Sequence, residues 1–296
     1  MGIIFLSLQI VLLVALAPLV SGVITWLKNN LRRRQGPGIF QPYFNLAKYF
    51  AKDEVVSEHA SWIFRAAPYL VFAATLTAAC LVPAFFRLSL TQYVGDFIAL
   101  IFLLSLGRFF LSLSGLDPAS AFGGMGSSRE MFISSFVEPV VLLAIFGVSL
   151  PLGTTNLIAV SGPRAMTIST AAAVLALFIA TLAETSRLPV DNQETHLELT
   201  MIHEAMVLEY SGRSLALLEL AAYLKQLIFL TIIANLLFTG LSLSPAFYLL
   251  KIFGLAAVVA LVELSLAKMR LFRVVDLLAF AALLAFLSIV GLGLGI

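Results

Sequence analysis

Eight apolar runs, each long enough to cross a bilayer when coiled into a helix, restrict this chain more than any other feature. They lie at about residues 3–26, 68–87, 92–113, 131–151, 165–184, 214–239, 246–267 and 273–294. A spanning helix needs about 20 mostly apolar residues. The runs are continuous and do not alternate with period two, so a transmembrane β-barrel is excluded. Charged residues are only 11% of the 296, where a soluble domain carries about 25%. The chain is therefore read as an all-α polytopic membrane protein, a single membrane domain over residues 1–296 with about eight transmembrane helices. The first run has no basic residue ahead of it and exceeds a signal-peptide core in length, so it is expected to remain as a helix.

Basic residues set the expected orientation, because Lys and Arg concentrate on the cytoplasmic side. With the N-terminus outside, residues 27–67 are cytoplasmic and hold Lys28, Arg32, Arg33, Arg34, Lys48, Lys52 and Arg65. The other inner ends hold Arg108, Arg129, Arg187, Arg213, Lys268, Arg270 and Arg273, against Arg87, Arg164 and Lys251 outside. Both termini are then outside.

The inner segments 27–67, 114–130 and 185–213 form the expected docking face. In the first, Phe40, Tyr43, Phe44, Ala47, Phe50 and Ala51 fall on one side of a helical wheel, opposite Gln41, Asn45, Lys48 and Lys52. That pattern fits an amphipathic helix lying in the membrane interface, or one lining a cavity for a ligand or partner. The second, rich in Gly and Ser, allows tight turns and close backbone approach. It lacks the Gly-Lys-Ser/Thr ending and preceding strand of a phosphate-binding loop, and reads as a packed contact surface for a soluble partner.

Most of the chemistry sits in residues 184–213, with six acids, two of the three His and two Arg between apolar runs. Charge is costly in hydrocarbon, so these groups must face the cytoplasm, protein or water. Glu138, Glu219, Lys225 and Glu263 add charge inside the runs themselves. One reading makes them ion-paired packing residues, for instance Lys225 with Glu219 or Glu263. The other makes Glu138, Glu184, Glu194, Glu198, Glu209, Glu219, Lys225 and Glu263 a proton or coupling relay, since burial and like charges raise carboxyl pKa values. Pro189 is expected to end the fifth helix and Asp191 or Asn192 to cap a new one. If residues 194–210 form one helix, Glu194, Glu198 and Glu209 share a face opposite His196 and His203. The scattered His residues and the single Cys80 give no metal-site spacing, and no iron–sulfur cluster can be built from this chain alone.

The motif Ala183-Glu184-Thr185-Ser186-Arg187-Leu188-Pro189-Val190-Asp191, an acidic run, then Glu209-Tyr210-Ser211-Gly212, resembles the signature of the H (ND1-like) membrane subunit of respiratory complex I. Arg33-Arg34-Gln35-Gly36-Pro37 resembles its basic R-x-G-P segment, Phe64-Arg65-Ala66-Ala67-Pro68 the start of its second helix, and Arg129 with Glu138 its Arg-to-Glu spacing. Three departures point to a cousin: Val190 where complex I has Phe, a longer stretch from Glu198 to Glu209 carrying His203-Glu204, and the Ser114–Pro118 and Gly126–Glu130 sequences. The last look like formate hydrogenlyase subunit 4 and hydrogenase-4 component C, membrane anchors of group 4 nickel–iron hydrogenases.

The resemblance implies a non-catalytic membrane anchor and coupling subunit of an ion-translocating oxidoreductase complex in the prokaryotic cell membrane. Its soluble partners would be hydrogenase-like large and small subunits with an iron–sulfur protein, and its membrane partners antiporter-like subunits. No nucleic acid is implied. Iron–sulfur and nickel–iron centres would belong to those partners, with no cofactor in this chain. Quinone is the substrate in complex I and generally is not in the hydrogenases. Arg34, Arg65, Arg129, Arg187, Asp191, His196, His203, Glu204 and Arg213 would supply counter-charge or docking contacts. The alternatives are a quinone-binding complex I subunit and a stand-alone secondary transporter; the absence of paired broken helices argues against the latter.

Overall fold

The computed structural model describes residues 2–85, 95–162, 166–192, 201–238 and 245–294. Its long helices are α1 (Gly2–Leu31), α3 (Trp62–Leu81), α4 (Phe97–Leu116), α5 (Ala121–Ser149), α7 (Ile168–Glu184), α9 (Gly212–Leu237), α10 (Pro245–Ser265) and α11 (Leu271–Gly293). Short helices α2 (Gln41–Phe50), α6 (Leu157–Val160) and α8 (His203–Val207) lie between them. Seven of the long helices are apolar and long enough to cross a membrane, and α7 is an apolar helix of 17 residues. The all-α polytopic architecture expected from the apolar runs is what forms.

Two helices start well ahead of the hydropathy reading, and both starts have local causes. Helix α3 begins at Trp62, six residues before the expected start, and carries Pro68 inside it. Ser61 caps it by accepting from the Ile63 N–H at 3.2 Å. Asp117 holds that cap, accepting from the Ser61 N–H and hydroxyl, both at 2.6 Å. Helix α5 begins at Ala121, ten residues early, so most of the Gly/Ser-rich segment is helix and not loop. Ser120 caps it through the Gly123 N–H at 3.2 Å. Helical Gly is unfavourable by about 1 kcal/mol relative to Ala, and here packing against α8 explains it. A Cβ on Gly126 would lie 2.9 Å from Ala205 Cβ and 3.0 Å from the Ile202 carbonyl.

The main apolar core runs through the bundle on fully buried side chains such as Ile24, Phe97, Leu177, Leu224, Ile233 and Ile252. A smaller core of Phe64, Val71, Leu111, Met206, Val207 and Tyr210 fastens α8 to α3 and α4. There the Phe64 and Tyr210 rings stack at 3.9 Å and the Tyr210 hydroxyl donates to the Phe64 carbonyl at 2.9 Å.

Helix α2 forms as expected. Phe44 and Phe50 are exposed on its outer side, while Gln41 and Asn45 face a cavity. Its polar residues therefore line a cavity, as one reading of the pattern expects, while its aromatic residues stay uncovered by the rest of the chain.

Candidate functional site

Helix α7 places the site's charges by the way it ends. Ser186 takes a left-handed conformation, φ 50°. Its N–H donates to the Ala183 carbonyl at 3.2 Å, and the Arg187 N–H donates to the Leu182 carbonyl at 2.9 Å. This is a Schellman closure, and it ends the helix at Glu184, ahead of Pro189, to which the sequence pattern assigned the stop. The chain reverses there, so Glu184 points to one side of the closure and Arg187 reaches the other.

On the first side, Arg108 of α4 contacts Glu184, and lies 3.2 Å from Glu138 and 3.8 Å from Glu130 of α5. Lys225 of α9 is 2.8 Å from the second Glu184 oxygen. Four helices therefore gather two cations and three carboxylates. Arg108 and Glu184 are buried at 7% exposure each.

On the other side, Glu263 of α10 lies 2.9 Å from Lys28 of α1 and 3.2 Å from Arg187. Arg187 also donates to Ser21 Oγ at 3.1 Å and Gln226 Oε1 at 2.8 Å. Close by, Asp191 pairs with Lys268 at 2.8 Å. Its other oxygen accepts the Ile202 and His203 N–H groups at 3.0 and 3.3 Å. The capping role expected of Asp191 is therefore exercised on α8, eleven and twelve residues onward.

A cavity of about 240 Å³ lies against the Glu263 group, walled by Lys28, Arg187, Asp191, Glu204, Glu219 and Glu263 and covered by Pro37, Gly38 and α2. A narrower cavity of about 60 Å³ lies against Arg108, Glu130, Glu184 and Lys225. The two share Thr185, Ser186, His203 and Ala222 as a common partition. Burial, then the nearby charges of Glu219 and Asp191, push the Glu204 carboxyl up to about 7. Burial pushes the His203 imidazole down from its ordinary value, the Glu219 charge opposing.

The expected site residues thus divide. Glu138, Glu184 and Lys225 meet in one group, while Arg187 and Glu263 meet in another. Asp191, His203, Glu204 and Glu219 line the larger cavity. Lys225 pairs with Glu184, not with Glu219 or Glu263 as the packing alternative had it. Arg129 donates to the Met201 carbonyl at 3.2 Å. Arg34, Arg65, Glu209 and Arg213 are exposed. Glu194, His196 and Glu198 lie outside the described residues. The single helix expected over 194–210 is not formed in its described part: Met201 and Ile202 precede α8, and the helix stops at Val207 before Glu209. The face that was to join Glu209 to the other acids is therefore lost.

Arg108, Lys28 and Glu130 were not among the expected site residues. The first two had been used only to orient the chain. Yet Arg108 lies inside an apolar run and Lys28 directly follows one. That position was the available signal, because a cation at such depth requires an acid partner.

With this geometry in place, comparison with known proteins gives a consistent answer. A match to the NADH dehydrogenase family extends over residues 3–293. The chain belongs to that family. Within it, the chain is 32% identical over 286 residues to formate hydrogenlyase subunit 4 of Escherichia coli strain K12, covering 92% of each. It is 36% identical over 230 residues to hydrogenase-4 component C of the same organism, covering 76% of this chain and 72% of that one. Among solved structures, a chain of an archaeal respiratory complex, the membrane-bound sulfane sulfur reductase, shares the fold. The TM-score is 0.86 at 17% identity, covering 98% of both chains.

Proposed function

We propose that this family member is the membrane anchor and coupling subunit of a proton- or sodium-translocating oxidoreductase of the hydrogenase or complex I kind, seated in the prokaryotic inner membrane. The supporting observation is the pair of cavities on either side of the Glu184–Arg187 reversal. Two of the three inner segments, 27–67 and 185–213, build the larger cavity, and Glu130 of the third lines the smaller. A redox event at a partner docked on those segments can therefore act directly on buried charge within the bundle.

The partners in this reading are hydrogenase-like large and small subunits with an iron–sulfur protein on the cytoplasmic side, and antiporter-like subunits in the membrane. Iron–sulfur and nickel–iron centres are assigned to the partners, and no cofactor to this chain. A wall with six charged side chains favours water and ions over the prenyl tail of a quinone. Within the chain, Glu138, Glu184, Lys225 and Glu219 are assigned the coupling role, and Glu263 the bracing of α1 and α10 against the end of α7. Glu209, with Arg65 and Arg213, is assigned to the docking face.

Glu184→Gln in the assembled complex tests the proposal. It keeps the shape and removes the charge that Arg108 and Lys225 share. In sealed vesicles, ions moved per redox turnover should fall toward zero, with the complex still assembled. Normal ion movement in this variant would overturn the coupling role.

A further inference from the structure

The partition between the two cavities contains a candidate for communication between them. Four described residues line both: Thr185, Ser186, His203 and Ala222. Of these, only His203 has a side chain that exchanges protons near neutral pH. The Thr185 hydroxyl is committed to the Thr181 carbonyl at 2.7 Å.

We propose that His203 carries protons between the polar chamber and the Arg108–Glu184–Lys225 group. The proposal rests on the coupling reading above and names the residue through which the two compartments exchange charge. A neutral imidazole offers one donor nitrogen and one acceptor nitrogen. A proton accepted at one nitrogen and another released from its opposite leave the ring neutral in the alternate tautomer, which rotation of the ring resets. No net charge is left in the partition after a transfer.

The backbone that carries the ring is held from both directions. Its backbone N–H is held by Asp191 Oδ2 at 3.3 Å. Behind it, α8 sits on α5 at Gly126, where even a Cβ would meet Ala205 and the Ile202 carbonyl. The groups around it are unlike on the two sides. Asp191, Glu204, Glu219 and Glu263 belong to the chamber, where Lys28 and Arg187 pair with Glu263 and Lys268 with Asp191. Arg108 of α4, Glu130 and Glu138 of α5, Glu184 of α7 and Lys225 of α9 belong to the ion-paired group. The imidazole thus stands between a chamber rich in acids and a group in which Glu184 faces two cations.

The test uses the assembled complex in sealed vesicles, with His203→Gln, His203→Ala and Glu184→Gln prepared in parallel. Most of the ion movement per redox turnover should be lost in both His203 variants. Added imidazole should restore a measurable fraction in His203→Ala and none in Glu184→Gln, a distinction that a packing role would not produce. Normal coupling in His203→Gln, or no imidazole recovery in His203→Ala, overturns the proposal. So does failure of both His203 variants to assemble, which would make the residue structural. If Glu184→Gln uncouples while His203→Ala does not, only the His203 assignment fails. If Glu184→Gln couples normally, the coupling reading itself fails.

Discussion

The Glu263 and Arg108 groups are both ion-pair networks centred on buried side chains, yet they are built on opposite principles. Around Glu263 one carboxylate meets two cations, and Arg187 donates further bonds to Ser21 and Gln226. Around Arg108 two cations face three carboxylates, and among the described residues Arg108 Nε has no hydrogen-bonded partner, with Glu130 at 3.8 Å. The first group is closed, tying α1, α9 and α10 to the end of α7. The second has more acid than cation and an unused donor, so alternative pairings of its members are close in geometry. Closure makes a strut, and incomplete closure leaves room for rearrangement.

The largest effect expected from breaking this contrast is at Arg108. Removing one partner of a buried pair leaves uncompensated charge, at a cost of about 3–5 kcal/mol. Arg108→Met leaves three acids with Lys225 alone, so it should lie at the top of that range and deplete the subunit from membranes. Glu263→Gln should cost less, because Arg187 keeps Ser21 and Gln226 and the amide still accepts from Lys28. Thermal unfolding of both variants in nanodiscs checks the order. Equal losses would show that the two groups do not differ as described.

That contrast was only half legible in the sequence. Apolar run length gives the bundle, and the carboxylates Glu138, Glu184 and Glu263 stand out because charge at such depth is conspicuous. Their partners are harder to see. Pairing joins residues 76, 77 and 235 positions apart, as in Arg108–Glu184, Asp191–Lys268 and Lys28–Glu263, and local patterning carries no trace of distance in the fold. Boundaries failed where packing overrode propensity: Gly-rich residues 121–130 read as loop alone and become helix because α8 needs a close neighbour. The His203-Glu204 step failed for the opposite reason. Its apolar neighbours suggested a continuous helix, while Asp191 captures the Ile202 and His203 N–H groups and starts a short one there.

The dependence of the partition on that close neighbour can be tested directly. Gly126→Val forces a branched side chain against Ala205 and the Ile202 carbonyl. Overpacking of this kind costs about 1–3 kcal/mol, and it should displace α8 while leaving the Glu263 group intact. Gly124, whose Cβ would meet nothing within 4 Å, supplies the control: Gly124→Ala should be neutral or slightly stabilising. Thermal unfolding and cross-linking between positions 126 and 205 would report both.

A smaller and pH-dependent effect is expected at Glu204 on the chamber wall. Its carboxyl is raised from 4.5 to about 7 by burial and by Glu219 and Asp191. Between those values the folded state holds a proton that the unfolded chain has released. Stability contributed by this group is therefore present below about pH 4.5 and is lost as pH rises to about 7. Allowing for partial solvent screening, the loss is on the order of 1–3 kcal/mol. Glu204→Gln should flatten that part of the stability–pH curve. His203 works in the other direction, because its lowered value makes the folded state resist protonation as pH falls. An unchanged slope in Glu204→Gln would place the carboxyl in open water and enlarge the chamber's connection to solvent.

The smallest expected effect separates the buried acids from the exposed one. Glu209 follows the end of α8, before Tyr210 anchors the chain to Phe64. It is exposed, so Glu209→Gln should change the subunit's own stability by no more than about 0.5 kcal/mol. Thermal unfolding of the isolated subunit gives that figure, and vesicle assays of the complex give the second half of the answer. A variant that is stable alone and weakly retained by the soluble arm locates Glu209 at a docking contact, where a charge on the rim acts on association more than on folding. A variant that remains assembled and moves fewer ions per turnover would instead return Glu209 to the relay. In that case the masking of its charge would have to come from the docked partner, since this chain leaves the carboxylate in the open.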